Sequence, residues 1–138
     1  MLITATKIYR WGVKMVIDME TILKKAVELR CSDIHITVGV PPMTRIDGQI
    51  VPLEGYEKLF SEDTRLLSTS LVNQDQARRL DQSGELDFSY SIAGIGRFRV
   101  NIFKQRGSYS TVIRVLAQKI PTIDELGLPQ VFKDKPRF

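Results

Sequence analysis

The sequence predicts an α+β fold: an antiparallel sheet with flanking helices. Three observations predict it. Residues 18–30 repeat their apolar positions at three- and four-residue steps; residues 32–51 and 86–116 alternate apolar and polar; and the short connections Asp47-Gly48 and Arg106-Gly107 suit antiparallel neighbours.

The first helix follows from Met19, Ile22, Leu23, Ala26 and Val27 on one face, with Asp18 as N-cap, Glu20 in the first turn and Lys24, Lys25 and Arg30 toward the C-terminal half. Period two then takes over at 32–38. Ile34, Ile36 and Val38 fall on one side of a half-buried strand, and Asp33, His35 and Thr37 on the other. Gly39 and Pro41-Pro42 break that strand, and 43–51 reads as a hairpin around Asp47-Gly48, with two- and three-residue loops both leaving a sensible apolar pattern. Ser61, Glu62 and Asp63 open a helix carrying Leu66, Leu67 and Leu71. Asn73 with Gln76 opens another that stops before Gly84. Three strands follow, over 86–92, 97–105 and 108–116. Thr122 and Glu125 have the spacing of a capping box around a short helical turn, and the residues after Gly127 read as a linker.

A chain of 138 residues with 43% hydrophobic and 26% charged residues folds as one domain around its own core. The single cysteine, Cys31, excludes an internal disulfide and any cysteine-based metal site, and fits a reducing cytoplasm. No apolar run is long enough to span a membrane, and residues 1–15 lack the pattern of a secretory signal, so they read as a disordered or extraneous extension. The net charge of +4 permits an acidic partner without choosing one.

The sequence contains no Gly-rich phosphate loop, no helical His pair with Glu and no nucleophile elbow. His35, beside Asp33, reads as a hydrogen-bonded structural histidine. The informative stretch is 96–114. If Arg106-Gly107 is a two-residue turn, Gln105 faces Ser108 and Arg99 lies opposite Arg114, with Arg97 on the same face. Phe98, Val100 and Ile102 then meet Val115, Ile113 and Thr111 on the core side. A longer loop shifts Arg114 off Arg99. Arginines facing each other need acidic neighbours or a bound anion: either Asp87, Glu85 or solvent neutralises them, or a phosphate does.

The segments Ser32-Asp33-Ile34-His35-Ile36, Gly39, Pro41-Pro42-Met43, Arg45 and Asp47-Gly48, then Leu86-Asp87-Phe88-Ser89, Gly96-Arg97-Phe98-Arg99-Val100-Asn101 and Ile120-Pro121-Thr122-Ile123-Asp124-Glu125-Leu126-Gly127, resemble, in order and spacing, the secretion ATPases of type IV pili and type II secretion. The match is to the retraction motors of the PilT kind and covers about 16–138. The resemblance implies a PAS-like N-terminal domain over 16–118 and a linker over 119–138 toward a RecA-like ATPase core. It also implies a homo-hexameric ring on the cytoplasmic side of the inner membrane at the pilus base, with an inner-membrane platform protein as partner. In such rings N-terminal arginines reach the phosphates of ATP, which assigns that contact to Arg97, Arg99 and Arg114. ATP and Mg belong to the full-length motor. This chain stops where the family's phosphate loop would follow, so alone it is expected not to hydrolyse ATP.

Two other readings stay open. One is a stand-alone PAS-like binding or adaptor module that regulates a motor ATPase. The other, ranked last, is a nucleic-acid binder using Phe103 beside Arg99; with a single aromatic on that face, no nucleic-acid partner is expected.

Overall fold

The computed structural model describes residues 5–8 and 14–118 of the 138. Its elements run β1 (Ala5–Ile8), β2 (Lys14–Ile17), α1 (Met19–Glu28), β3 (Asp33–Ile36), β4 (Met43–Ile46), β5 (Gln49–Pro52), α2 (Ser61–Thr69), α3 (Gln74–Ser83), β6 (Glu85–Ile92), β7 (Gly96–Gln105) and β8 (Ser108–Gln118). Six strands make one antiparallel sheet in the order β5-β4-β3-β8-β7-β6. β1 and β2 pair separately. The α+β expectation therefore holds. The helical turn expected at 123–126 and the linker expected over 119–138 lie outside the described residues.

Local chemistry sets each boundary. Asp18 caps α1, its carboxylate accepting from Thr21 N–H at 2.7 Å. Asn73 and Gln76 close a reciprocal capping box at α3: Gln76 N–H donates to Asn73 Oδ1 at 2.8 Å and Asn73 N–H to Gln76 Oε1 at 3.0 Å. α3 ends at Gly84, whose φ of 81° is the left-handed cap that glycine adopts without strain. Asp47 and Gly48, with φ of 50° and 81°, form a two-residue turn that pairs Ile46 with Gln49, which settles the hairpin register.

One expectation changes. β3 ends at Ile36, and Val38, expected on the apolar side, is exposed. The cause is local: Gly39 (φ 95°) turns the chain, and its N–H donates to Leu59 O at 2.9 Å while Leu59 N–H returns to Val40 O. Ala5–Ile8, inside the stretch 1–15, and Lys14–Ile17, which crosses its end, hold strand geometry, in four-residue runs too short to carry a clear alternation.

The helices and one face of the sheet share a single core. Met19, Ile22, Leu23 and Ala26 of α1, Leu67 of α2 and Leu80 of α3 pack into one cluster with Ile34, Ile36, Phe98, Val100, Ile102 and Ile113. A buried hydroxyl pair fixes α2 to β8, Ser68 Oγ lying 2.6 Å from Thr111 Oγ1. Cys31 is part of this core, and desolvation pushes its thiol up to about 11, which keeps it protonated and inert at neutral pH. Because the inner face is taken by the helices, the alternate positions of each strand fall on the opposite face, which is mostly polar but includes Met43, Ile50, Phe103 and Val112.

Candidate functional site: an arginine row on the outer sheet face

β7 alternates cleanly: Phe98, Val100 and Ile102 are buried, while Arg97 and Arg99 are exposed on the other face. Arg106 and Gly107 adopt φ of 53° and 80°, the two-residue hairpin turn, so Gln105 pairs with Ser108 and Arg99 with Arg114. Phe98, Val100 and Ile102 stand opposite Val115, Ile113 and Thr111. The register expected from the turn is the register observed, with one irregularity between Arg97 and Phe98, where Arg97 pairs with Ala117 and Leu116 is skipped.

The row continues across all six strands. Ser89 neighbours Arg99, Arg99 neighbours Arg114, Arg114 neighbours Asp33, Asp33 neighbours Arg45, and Arg45 neighbours Ile50. Two carboxylates serve it. Asp87 grips Arg99 side-on, accepting from Nε at 2.7 Å and from a terminal guanidinium nitrogen at 3.1 Å. Asp33 lies between Arg114 and Arg45, each Nε 3.5 Å from one of its oxygens, and also accepts from Ser32 Oγ at 2.9 Å. Glu85, expected as a neutraliser, instead accepts from Asn101 Nδ2 at 3.3 Å.

Four guanidinium groups thus share this face with three carboxylates, of which only Asp87 and Asp33 pair with arginine. Arg97 has no hydrogen bond or ion pair among the described residues, and it is exposed. The sum is a positive strip with one uncommitted arginine at its end, suited to an anion. Asp33 and Arg45 were not legible as members of this row. They join it only because β3 pairs with β8 across most of the chain, a contact no local pattern announces; their places two residues apart from other outward positions on their strands were the available signal.

The hydrogen bond expected for His35 is absent among the described residues. His35 stands between Val112 and Met43 on the same outer face, both apolar, because the strand pairing puts no acceptor directly opposite it. Phe103 pairs with Glu85, an anionic neighbour that works against a base-stacking platform. No helix among the described residues is long and apolar enough to cross a membrane.

The Asp87–Arg99 fork leaves a titration signature. The hydrogen bonds from Arg99 hold the Asp87 carboxyl below its ordinary value of 3.8. Since the folded value is depressed, the stabilisation is present above the unfolded value and is lost as pH falls through the folded one. Carboxyl NMR titration is expected to show Asp87 titrating below 3.8, and Arg99→Ala to return it upward; an unchanged midpoint in the variant excludes the fork in solution.

No family model matches the chain. Among curated proteins it is 38% identical over 116 residues to the type IV pilus ATPase PilU of Pseudomonas aeruginosa, covering 84% of this chain and 30% of that protein. It is 33% identical over 123 residues to the type IV pilus retraction ATPase PilT of the same organism, covering 87% of this chain and 36% of that protein. Among solved structures, the pilus retraction motor PilT with bound ADP superposes with a TM-score of 0.69 at 43% identity, over 82% of this chain and 33% of that one. The ATPase DotB of Legionella pneumophila shares the fold, with a TM-score of 0.61 at 21% identity, over 84% of this chain and 33% of that one. The chain spans about a third of the length of these relatives.

Proposed function

Since the chain belongs, by sequence and by fold, with the N-terminal domain of the PilT-like pilus ATPases, we propose that it serves as the arginine-donating, non-catalytic domain of a pilus retraction motor. In this reading it is a PAS-like domain that packs against a RecA-like core within a homo-hexameric ring. The ring sits at the cytoplasmic side of the inner membrane at the pilus base, near the platform protein. The core supplies the phosphate loop and Mg, and binds ATP. Arg97, Arg99 and Arg114 then face the nucleotide's phosphates.

The observation that carries this reading is the excess of arginine over carboxylate on the outer face, with Arg97 exposed and without an ion pair among the described residues. A phosphate supplies the charge that Asp87 and Asp33 leave unmatched. Arginine forks stabilise charge on a transferring phosphoryl group through geometry and electrostatics, with no covalent step. The chain has no phosphate loop of its own, so in this reading nucleotide binding belongs to the assembled pair of domains.

The test is calorimetric titration of a non-hydrolysable ATP analogue into this chain mixed with a separately produced RecA-like core of a retraction motor. The mixture is expected to bind, and Arg97→Ala to weaken binding about tenfold, the scale of one charge-assisted hydrogen bond. Arg99→Ala and Arg114→Ala are expected to act in the same direction. A mixture that never associates, or affinities indifferent to all three substitutions, makes the arginine row ordinary surface charge.

A further inference from the structure

β6 is one outer edge of the sheet: all eight of its residues pair with β7 and, among the described residues, with nothing on the other side. Its backbone groups can be assigned. Lys104 N–H donates to Gly84 O at 2.9 Å, so the hydrogen-bonded pairs with β7 fall at every second residue from Gly84: Leu86, Phe88 and Tyr90. The amides and carbonyls of Glu85, Asp87, Ser89 and Ser91 therefore point out of the sheet. Glu85 is already closed off, because Ser83 Oγ donates to Glu85 O at 2.8 Å and accepts from Glu85 N–H at 3.3 Å. That leaves an open segment of three outward residues centred on Ser89.

Of the devices that blunt an edge, β6 has only its two acidic residues, Glu85 and Asp87. It carries no proline, glycine, lysine or arginine, and its pairing with β7 runs without a bulge. The opposite edge, β5, is four residues long and ends in Pro52. β6 is also bordered by a cleft of about 330 Å³ between Phe88, Ser89 and Tyr90 and the α2–α3 connection at Leu71, Val72 and Asn73.

We propose that β6 is a self-association edge at which two copies of this chain pair antiparallel about a two-fold axis through Ser89, forming one continuous sheet. In that register Ser89 meets Ser89 of the second copy and Asp87 meets Ser91, so each open amide and carbonyl finds a partner and no like charges stand opposite. On the inner face, Phe88 meets Tyr90 and Leu86 meets Ile92. The aromatic pairs lie beside the clefts of both copies and cover half-exposed rings that already pack on the core. A shift by one residue sets outward groups against groups already bonded to β7, and the strand's own pattern selects against it. The inference is independent of nucleotide and of the arginine row's role.

The contact is small, so the dimer is weak and concentration-dependent. Sedimentation equilibrium of the full 138-residue chain across a wide concentration range is expected to show monomer passing to dimer and no further. Ser89→Pro removes an outward N–H that β7 does not use and leaves the fold intact, as prolines at an edge do. It is expected to weaken dimerisation at least about tenfold through the lost two-fold hydrogen bonds, with thermal unfolding unchanged. Ser89→Glu, a second variant without a backbone change, sets two carboxylates face to face at the axis and is expected to act likewise. The proposal is overturned if the chain stays monomeric throughout, if both variants dimerise normally, or if amide exchange shows Asp87, Ser89 and Ser91 protected in a monomer, which means another segment of the same chain covers the edge.

Discussion

Phe98→Ala will destabilise the domain by about 3–5 kcal/mol, the range for truncating a buried phenylalanine. Phe98 has no exposure and is the largest of the fully buried side chains. It lies on the sheet's inner face, on the strand next to the β6 edge, paired with Tyr90 on β6 and Val115 on β8, and it shares one cluster with residues from all three helices. Two costs add: the transfer energy of the lost ring, and the cavity left because strands and helices around it are held by other contacts. The position also neighbours the irregularity where Leu116 is skipped, so relaxation there competes with strand pairing. Urea denaturation gives the check: the midpoint is expected to fall sharply with little change in slope. A loss under about 1 kcal/mol, the scale of an average substitution, places Phe98 outside the core in solution.

The second large effect concerns a buried polar contact. Thr111→Val keeps the shape of the side chain but leaves the Ser68 hydroxyl, fully buried, without its partner at 2.6 Å. A stranded buried hydroxyl costs about 1–3 kcal/mol. Ser68→Ala alone strands the Thr111 hydroxyl and is expected to cost a similar amount. Removing both hydroxyls leaves no unsatisfied group, so the double variant is expected to be more stable than the sum of the single losses allows. A double-mutant cycle by denaturation measures the coupling. Strict additivity shows that the pair does not join α2 to β8.

Much of this was legible in the sequence where the determinants are local. Arg106-Gly107 requires left-handed backbone at two consecutive positions, and a turn of that kind dictates the partners of every residue back to Arg99; seven cross-strand pairs follow from two residues. Asp18, Asn73 with Gln76, and Gly84 announced helix ends because caps act within four residues. The remainder depended on chain-distant pairing. Asp33 reads locally as a polar residue beside His35, and only the β3–β8 ladder makes it the counter-ion of Arg114. Val38 continues an alternating pattern past the point where Gly39 turns the chain, so period two alone overran the strand by two residues. The skipped Leu116 stands in the unbroken apolar run Val115-Leu116-Ala117, which breaks the alternation without saying which residue is skipped.

The β3–β8 ladder also orders events in time. The hairpin of β4 and β5 and the meander of β6, β7 and β8 are each joined by short turns and form from neighbouring residues, whereas β3 meets β8 over only four positions, Asp33 to Ile36 against Arg114 to Thr111. Loop closure over that distance is the slow step for such a topology. On the ribosome, β3 must wait with one side unpaired until Thr111 to Arg114 have emerged, so the first half of the domain stays unlocked until nearly all of its sheet has been synthesised.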